Sequence, residues 1–238
     1  MTHDDFFNGL RVAVTGGTSG LGLALVRALH ARGAQVAFVA RHADAVVGTA
    51  ASLPGTHGVV GDVSRKEDTH RVALQVLAAL GGLDVLIHNA SSLGPAPLQL
   101  LADTECEDLE TALATNLVGP FRLTKALLGA LGASARDGRP AAIVHIGSDA
   151  AVTPYPRWGA YGASKAALLH LSRIWDEELR EHGVRAIALD PGDMDTPLHA
   201  LAVPDADPAT LKRPDDAARD VLHRIASALP LALALEAT

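Results

Sequence analysis

Tyr161 and Lys165 stand four positions apart in Tyr161-Gly162-Ala163-Ser164-Lys165, a spacing that puts both side chains on one face of a helix. A free phenol has a pKa of about 10. To give or take a proton near neutrality its phenolate must be stabilised, and an ammonium one turn away does so electrostatically. Ser148 follows an apolar run that reads as a strand, so its hydroxyl sits at a sheet edge where it can hold a substrate oxygen against Tyr161. Asn116 interrupts a helical pattern in which asparagine has poor propensity, and a use for it there is to bond a water that relays protons to Lys165. Each residue taken singly is more often structural than catalytic; their combination is what points to proton transfer.

The elements that must position these groups follow from the hydrophobic pattern. Apolar runs at 11–14, 35–40, 58–60, 83–88, 141–146 and 184–189 alternate with amphipathic stretches at 21–31, 65–80, 106–131, 158–181 and 214–229. Most runs are continuous rather than alternating, as expected of strands covered on both faces. The pattern predicts a doubly wound α/β fold, a parallel sheet between two helical layers, in one domain over 1–238. Residues 190–213 carry four prolines and no clear periodicity, and their place after the last strand makes them a candidate substrate lid.

Between the first strand and first helix lies Thr15-Gly16-Gly17-Thr18-Ser19-Gly20-Leu21-Gly22. Glycines there permit a tight turn and close approach of a pyrophosphate to a helix N-terminus, although a glycine-rich surface turn would read the same. At the end of the second strand, Arg41 offers a forked, permanently charged donor for a ribose 2′-phosphate, and no acid follows until Asp44. That favours NADP(H) over NAD(H); the alternative is a solvated surface arginine. Asp62, after the third strand, can accept from an adenine amino group or cap the strand end. Substrate contacts are expected from Tyr155, Trp158, Leu198 and His199 besides Ser148 and Tyr161, unless Tyr155 and Trp158 only pack the helix start. Arg157 can pair with an anionic group.

Taken together the chain resembles the short-chain dehydrogenase/reductase family, whose pattern is a TGxxxGxG turn, an NNAG-like strand end, then Asn, Ser and YxxxK in that order. The resemblance covers about residues 11–196. It implies Asn116, Ser148, Tyr161 and Lys165 as the catalytic set. It implies Thr15, Gly16, Thr18, Ser19, Gly20, Leu21, Gly22, Arg41, Asp62, Val63, Asn89 and Ala90 around the cofactor, with Tyr161 and Lys165 beside it. Pro191, Gly192, Met194 and Thr196 match the segment over the nicotinamide, Thr196 as a carboxamide contact. Two departures stand out: His88-Asn89-Ala90-Ser91 replaces NNAG, with His88 expected to be structural, and 229–238 lacks the final strand through which many relatives form a tetramer. The family resemblance implies a homo-oligomer, a dimer through the long helices.

Composition narrows the remaining classes. The formal charge of −7 argues against a phosphate-backbone partner, and 48% hydrophobic residues suffice for one core. The first ten residues, MTHDDFFNGL, have no signal-peptide pattern, and no apolar run reaches membrane-spanning length, so a cytoplasmic protein is expected. High Ala and Arg with four lysines accords with a GC-rich bacterial genome. Cys106 is read as an incidental thiol, and eleven histidines show no HxH or HExxH arrangement, so no metal is expected. Gly147-Ser148-Asp149 is not a G-x-S-x-G elbow, which argues against a hydrolase. The reading is an NADP(H)-dependent oxidoreductase of a ketone or aldehyde and its matching alcohol. The alternatives are an NAD-dependent alcohol dehydrogenase and a non-catalytic NADP(H)-sensing module.

Overall fold

A computed structural model describes residues 5–229. Six strands, β1 (Arg11–Thr15), β2 (Gln35–Ala40), β3 (His57–Val60), β4 (Val85–His88), β5 (Ala141–Ile146) and β6 (Val184–Leu189), form one sheet in the order β3-β2-β1-β4-β5-β6. All five pairings are parallel. Every residue of β4 and β5 is buried, which is why their sequences are apolar without alternation. Strand order reverses between β1 and β4, so a crevice opens at their carboxyl ends.

Among the described residues are eight helices: α1 (Gly20–Ala31), α2 (Ala43–Ser52), α3 (Lys66–Leu80), α4 (Cys106–Leu113), α5 (Gly119–Arg136), α6 (Gly159–Leu179), α7 (Pro197–Ala202) and α8 (Pro214–Ala228). Helices α1 and α8 bury Leu25, Leu29, Val221 and Ile225 against one face with Val12, Val14 and Phe38. Helices α3, α5 and α6 bury Val76, Leu127, Leu131 and Trp175 against the other with Leu86 and Ile143. Removing this apolar surface from water supplies the main folding drive, at roughly 25 cal/mol per Å².

Two expectations about helices change. The predicted continuous helix over 106–131 is divided by a π-helical turn at Ala114–Val118, with Asn116 at its centre. A widened turn takes up one extra residue and redirects side chains, a distortion that recurs at functional sites. Helix α2 leaves no periodic stripe in the sequence because it buries only Val46 and Thr49. The segment 190–213 contains α7, capped by Thr196 Oγ1, which accepts from the His199 amide at 3.2 Å. Residues 230–238 lie outside the described residues, and with them most of the C-terminal segment on which the argument against a tetramer rested.

Candidate active site

The crevice at the β1/β4 switch point is a cleft of about 610 Å³. Its floor at one end is the glycine turn. Gly16 has φ +72°, a left-handed conformation that favours glycine, and a Cβ on Gly17 would lie 2.5 Å from Phe38 Cβ. A Cβ on Gly22 would overlap the Gly16 carbonyl oxygen, so the turn and α1 meet only because no side chain intervenes. Ser19, the N-cap of α1, makes no side-chain cap, which leaves first-turn amides for an anion.

Strand β4 buttresses this turn. Thr15 Oγ1 accepts from the Asn89 and Ala90 amides at 3.0 and 3.1 Å, and Asn89 Nδ2 donates to the Thr15 and Gly16 carbonyls at 3.0 and 3.3 Å. Thr15 is buried, so it staples β1 to β4 behind the cleft wall rather than lining the cleft. His88 is held by Thr124 at 2.9 Å and stacks on His145 with ring centroids 5.1 Å apart. Burial holds the His88 imidazole well below its usual pKa and pushes His145 down to about 3, so both rings are neutral packing elements at physiological pH.

At the other end of the cleft, Ser148, Tyr161 and Lys165 converge. Ser148 lies two residues beyond β5 and caps the short turn Asp149–Ala151, accepting from the Ala150 amide and donating to Asp149, each at 3.2 Å. Lys165 Nζ donates to the Ile146 carbonyl at 2.8 Å and lies 5.5 Å from the centre of the Tyr161 ring. Burial pushes the Tyr161 phenol up to about 12, a rise that the neighbouring Ser148 and Ser91 hydroxyls oppose. Burial pushes the Lys165 ammonium down to about 8, with the Asp190 carboxylate resisting. The site thus holds a protonated phenol beside a cation whose charge is readily lost.

Sequence comparison agrees with this geometry. The profile of the family described as short chain dehydrogenase matches residues 11–207, from β1 past α7. The chain belongs to the short-chain dehydrogenase family. This short-chain dehydrogenase is 31% identical over 208 residues to glucose 1-dehydrogenase of Gluconobacter oxydans, covering 85% of this chain and 76% of that one. It is 31% identical to carbonyl reductase [NADPH] 2 of Sus scrofa, covering 78% and 72%. Among solved structures, the 3-ketoacyl-(acyl-carrier-protein) reductase of Brucella melitensis, complexed with NADH, superposes with a TM-score of 0.84 at 26% identity over 90% of each chain. It is therefore an oxidoreductase of a family that works with nicotinamide cofactors.

Most residues singled out in the sequence of this short-chain dehydrogenase line the cleft: Gly16, Thr18 to Gly22, Arg41, Asp62, Val63, Asn89, Ala90, Pro191, Gly192, Met194 and Thr196, with Tyr155, Trp158, Leu198 and His199. Arg41 is exposed and forms no ion pair among the described residues. Asp62 Oδ1 already accepts from the Ser64 amide and hydroxyl at 2.9 and 2.7 Å, so the turn-capping role exists alongside the ligand-facing position. Leu198 and Ala202 of α7 pack with Trp158 against Leu93, Ala150 and Tyr161, and Thr196 touches the place a Gly20 Cβ would occupy. The segment 190–213 thereby spans both ends of the cleft.

The Asn116 side chain is buried behind the cleft wall. Its amide donates to the Ser92 carbonyl and Ser164 Oγ at 2.7 and 2.8 Å, and its oxygen accepts from the Ser92 amide and Ser91 Oγ at 2.8 and 3.1 Å. All four hydrogen-bonding positions of the side chain are taken by protein groups. It clamps β4's exit to α6 from behind the wall. Ser91 and Asp149 were missed as site residues. The signal for each was its place beside a motif, at a strand end facing the crevice.

Among the described residues no group of three or more His, Cys, Asp or Glu side chains is placed to hold a metal. No helix among them is long and apolar enough to cross a membrane.

Proposed function

We propose that this short-chain dehydrogenase is an NADP(H)-dependent oxidoreductase that reduces a ketone or aldehyde, or oxidises the matching secondary alcohol, with Tyr161 moving the proton. The observation that carries the proposal is the convergence of Ser148, Tyr161 and Lys165 at one end of a cleft whose other end is a side-chain-free turn with Arg41 at its rim.

The residues present fit a dinucleotide. Uncapped amides of α1 would receive the pyrophosphate, Arg41 the 2′-phosphate, and the second carboxylate oxygen of Asp62 the adenine amino group, with Val63 beside it. Asn89, Ala90, Pro191, Gly192, Met194 and Thr196 would hold the nicotinamide end. A nicotinamide bound there supplies or accepts hydride at the substrate carbon.

Ser148 orients the substrate oxygen by hydrogen bonding and stabilises negative charge growing on it. Tyr161, protonated throughout the neutral range, releases its proton to that oxygen in the reductive direction. Lys165 stabilises the phenolate left behind. Leu198, Ala202 and Trp158 cover the reacting groups and exclude water, the role we assign to the segment 190–213 as a lid.

One relative is named for NADPH and one neighbour is complexed with NADH, so the nucleotide choice rests on Arg41. Self-association accords with the exposed Phe121 and Ile174 on α5 and α6, and a cytoplasmic site of action with the sequence reading. The test is fluorescence titration of the purified protein with NADPH and NADH, paired with NADPH oxidation over a panel of ketones and aldehydes. Tight NADPH binding with turnover is expected. Absence of nucleotide binding would overturn the proposal, and binding without turnover across the panel would favour a sensing module instead.

A further inference from the structure

Ser148 meets the substrate oxygen with a hydroxyl whose hydrogen bonds are already partly allotted. A serine hydroxyl has one proton and two lone pairs. Ser148 Oγ gives its proton to Asp149 Oδ1 at 3.2 Å, and one lone pair receives the Ala150 amide at the same distance. What remains for a ligand is one lone pair, an acceptor.

The carboxylate that takes the proton is itself held. Tyr155 Oη donates at 2.6 Å to the other oxygen of Asp149, and Ser148, Asp149 and Tyr155 all line the cleft. Asp149 is exposed and belongs to no ion pair among the described residues, so two hydroxyls rather than a cation answer its charge. The backbone beneath it is fixed independently of its side chain: the Ala151 amide donates to the Ser148 carbonyl at 3.0 Å, and the Val152 and Thr153 amides donate to the Asp149 carbonyl at 2.9 Å.

We infer that Asp149 is a positioning residue acting through Ser148: by holding the Ser148 proton it turns an acceptor toward the substrate oxygen, so that the site binds a secondary alcohol in preference to the matching ketone. The inference rests on the carbonyl and alcohol chemistry proposed above, with Ser148 at the reacting oxygen.

The hydrogen-bonding capacity of the two ligands decides the sign. An alcohol hydroxyl both donates and accepts, whereas a ketone oxygen only accepts. With Tyr161 protonated in the neutral range, either oxygen can accept from the phenol. Only the alcohol has a proton left for the open lone pair of Ser148. A ketone would have to draw the Ser148 proton away from Asp149, and a neutral carbonyl is a weaker acceptor than a carboxylate. An oxygen gaining negative charge during hydride transfer is a stronger competitor, and Ser148 can turn to it then. The preference therefore concerns the bound ground states.

Leu93, Trp158 and Leu198 give this end of the cleft an apolar wall, which suits a cyclic aliphatic probe. The experiment measures, by ligand-observed NMR on the full-length protein, the dissociation constant of cyclohexanol with the reduced nucleotide bound and of cyclohexanone with the oxidised nucleotide bound, two combinations that cannot react. Matched pairs from the carbonyl panel follow if this pair does not bind. The parent should bind the alcohol more tightly. Asp149→Ala frees the Ser148 proton and should shift the ratio toward the ketone by about 5-fold, the worth of one neutral hydrogen bond. Asp149→Asn, with a neutral acceptor in the same place, should fall between. Tyr155→Phe removes the same bond between turn and loop but keeps the carboxylate, and should not move the ratio toward the ketone. A ratio unmoved in Asp149→Ala, or moved equally in Tyr155→Phe as a merely structural role would have it, overturns the inference and leaves the oxidoreductase reading standing. Absence of binding by every pair overturns both.

Discussion

The Lys165 ammonium lies 5.5 Å from the centre of the Tyr161 ring, one helical turn along α6, and is anchored by the carbonyl of Ile146 at 2.8 Å. The anchor comes from β5, the strand that also delivers Ser148. One strand end and one helix therefore fix the distances among all three groups. Burial is the price of that arrangement, and it acts on the two titrating groups in opposite senses, up for the phenol and down for the ammonium.

From this pair follows a pH dependence. Lys165 keeps its charge below about 8 and loses it above, so turnover should fall with a midpoint near that value in the free enzyme. Stability runs the other way. An unfolded lysine holds its proton to about 10.4, so between the folded and unfolded values the unfolded chain binds more protons and this group makes folding more favourable as pH rises. A pH series of kcat/KM and thermal melts, for the parent and Lys165→Met, checks both signs. The variant should lose roughly 100-fold or more in turnover and the alkaline limb with it.

Arg41 should set nucleotide preference. A charge-assisted contact to a 2′-phosphate contributes about 1.5–3 kcal/mol. Arg41→Ala should therefore weaken NADPH binding by about 10- to 100-fold and leave NADH nearly unchanged. Parallel fluorescence titrations measure this, and equal losses for both nucleotides would remove the NADP(H) assignment.

At the amino ends of the strands, away from the cleft, Asp84 is fully buried and bonded to Arg11 and Arg139 at 2.6 and 2.7 Å and to Ser134 at 2.6 Å. Burial acts to raise its carboxyl, and the bonds from Arg139, Arg11 and Ser134 outweigh it, holding the pKa well below the ordinary range. Its contribution is present above the unfolded carboxyl pKa of about 4 and is lost as pH falls from there toward the folded value. Asp84→Ala should cost about 3–5 kcal/mol in urea unfolding, because two arginines lose their buried partner, with nucleotide affinity of the remaining folded protein unchanged.

The fold was legible because the β4 and β5 runs are buried on both faces and the α3, α5 and α6 stripes are long. Helix α2 was not, since two buried residues make no period. The break at Asn116 was visible only as a weak helix former; its consequence, a π turn whose asparagine spends every hydrogen bond on Ser91, Ser92 and Ser164, depends on partners remote in sequence. Thr15 reads as a cleft residue in the glycine motif, and only the register of β1 against β4 turns its hydroxyl toward Asn89 and Ala90. Motif spacing identifies residues that approach a ligand, and it is blind to those that hold them there.

The most direct test of the central claim is Tyr161→Phe, assayed for NADPH affinity and for turnover of any carbonyl compound the parent reduces. The ring and its packing against Trp158 remain while the transferable proton is gone. NADPH affinity within a few-fold of the parent with turnover reduced by about 100-fold or more is the predicted result. Wild-type turnover in that variant would contradict the account.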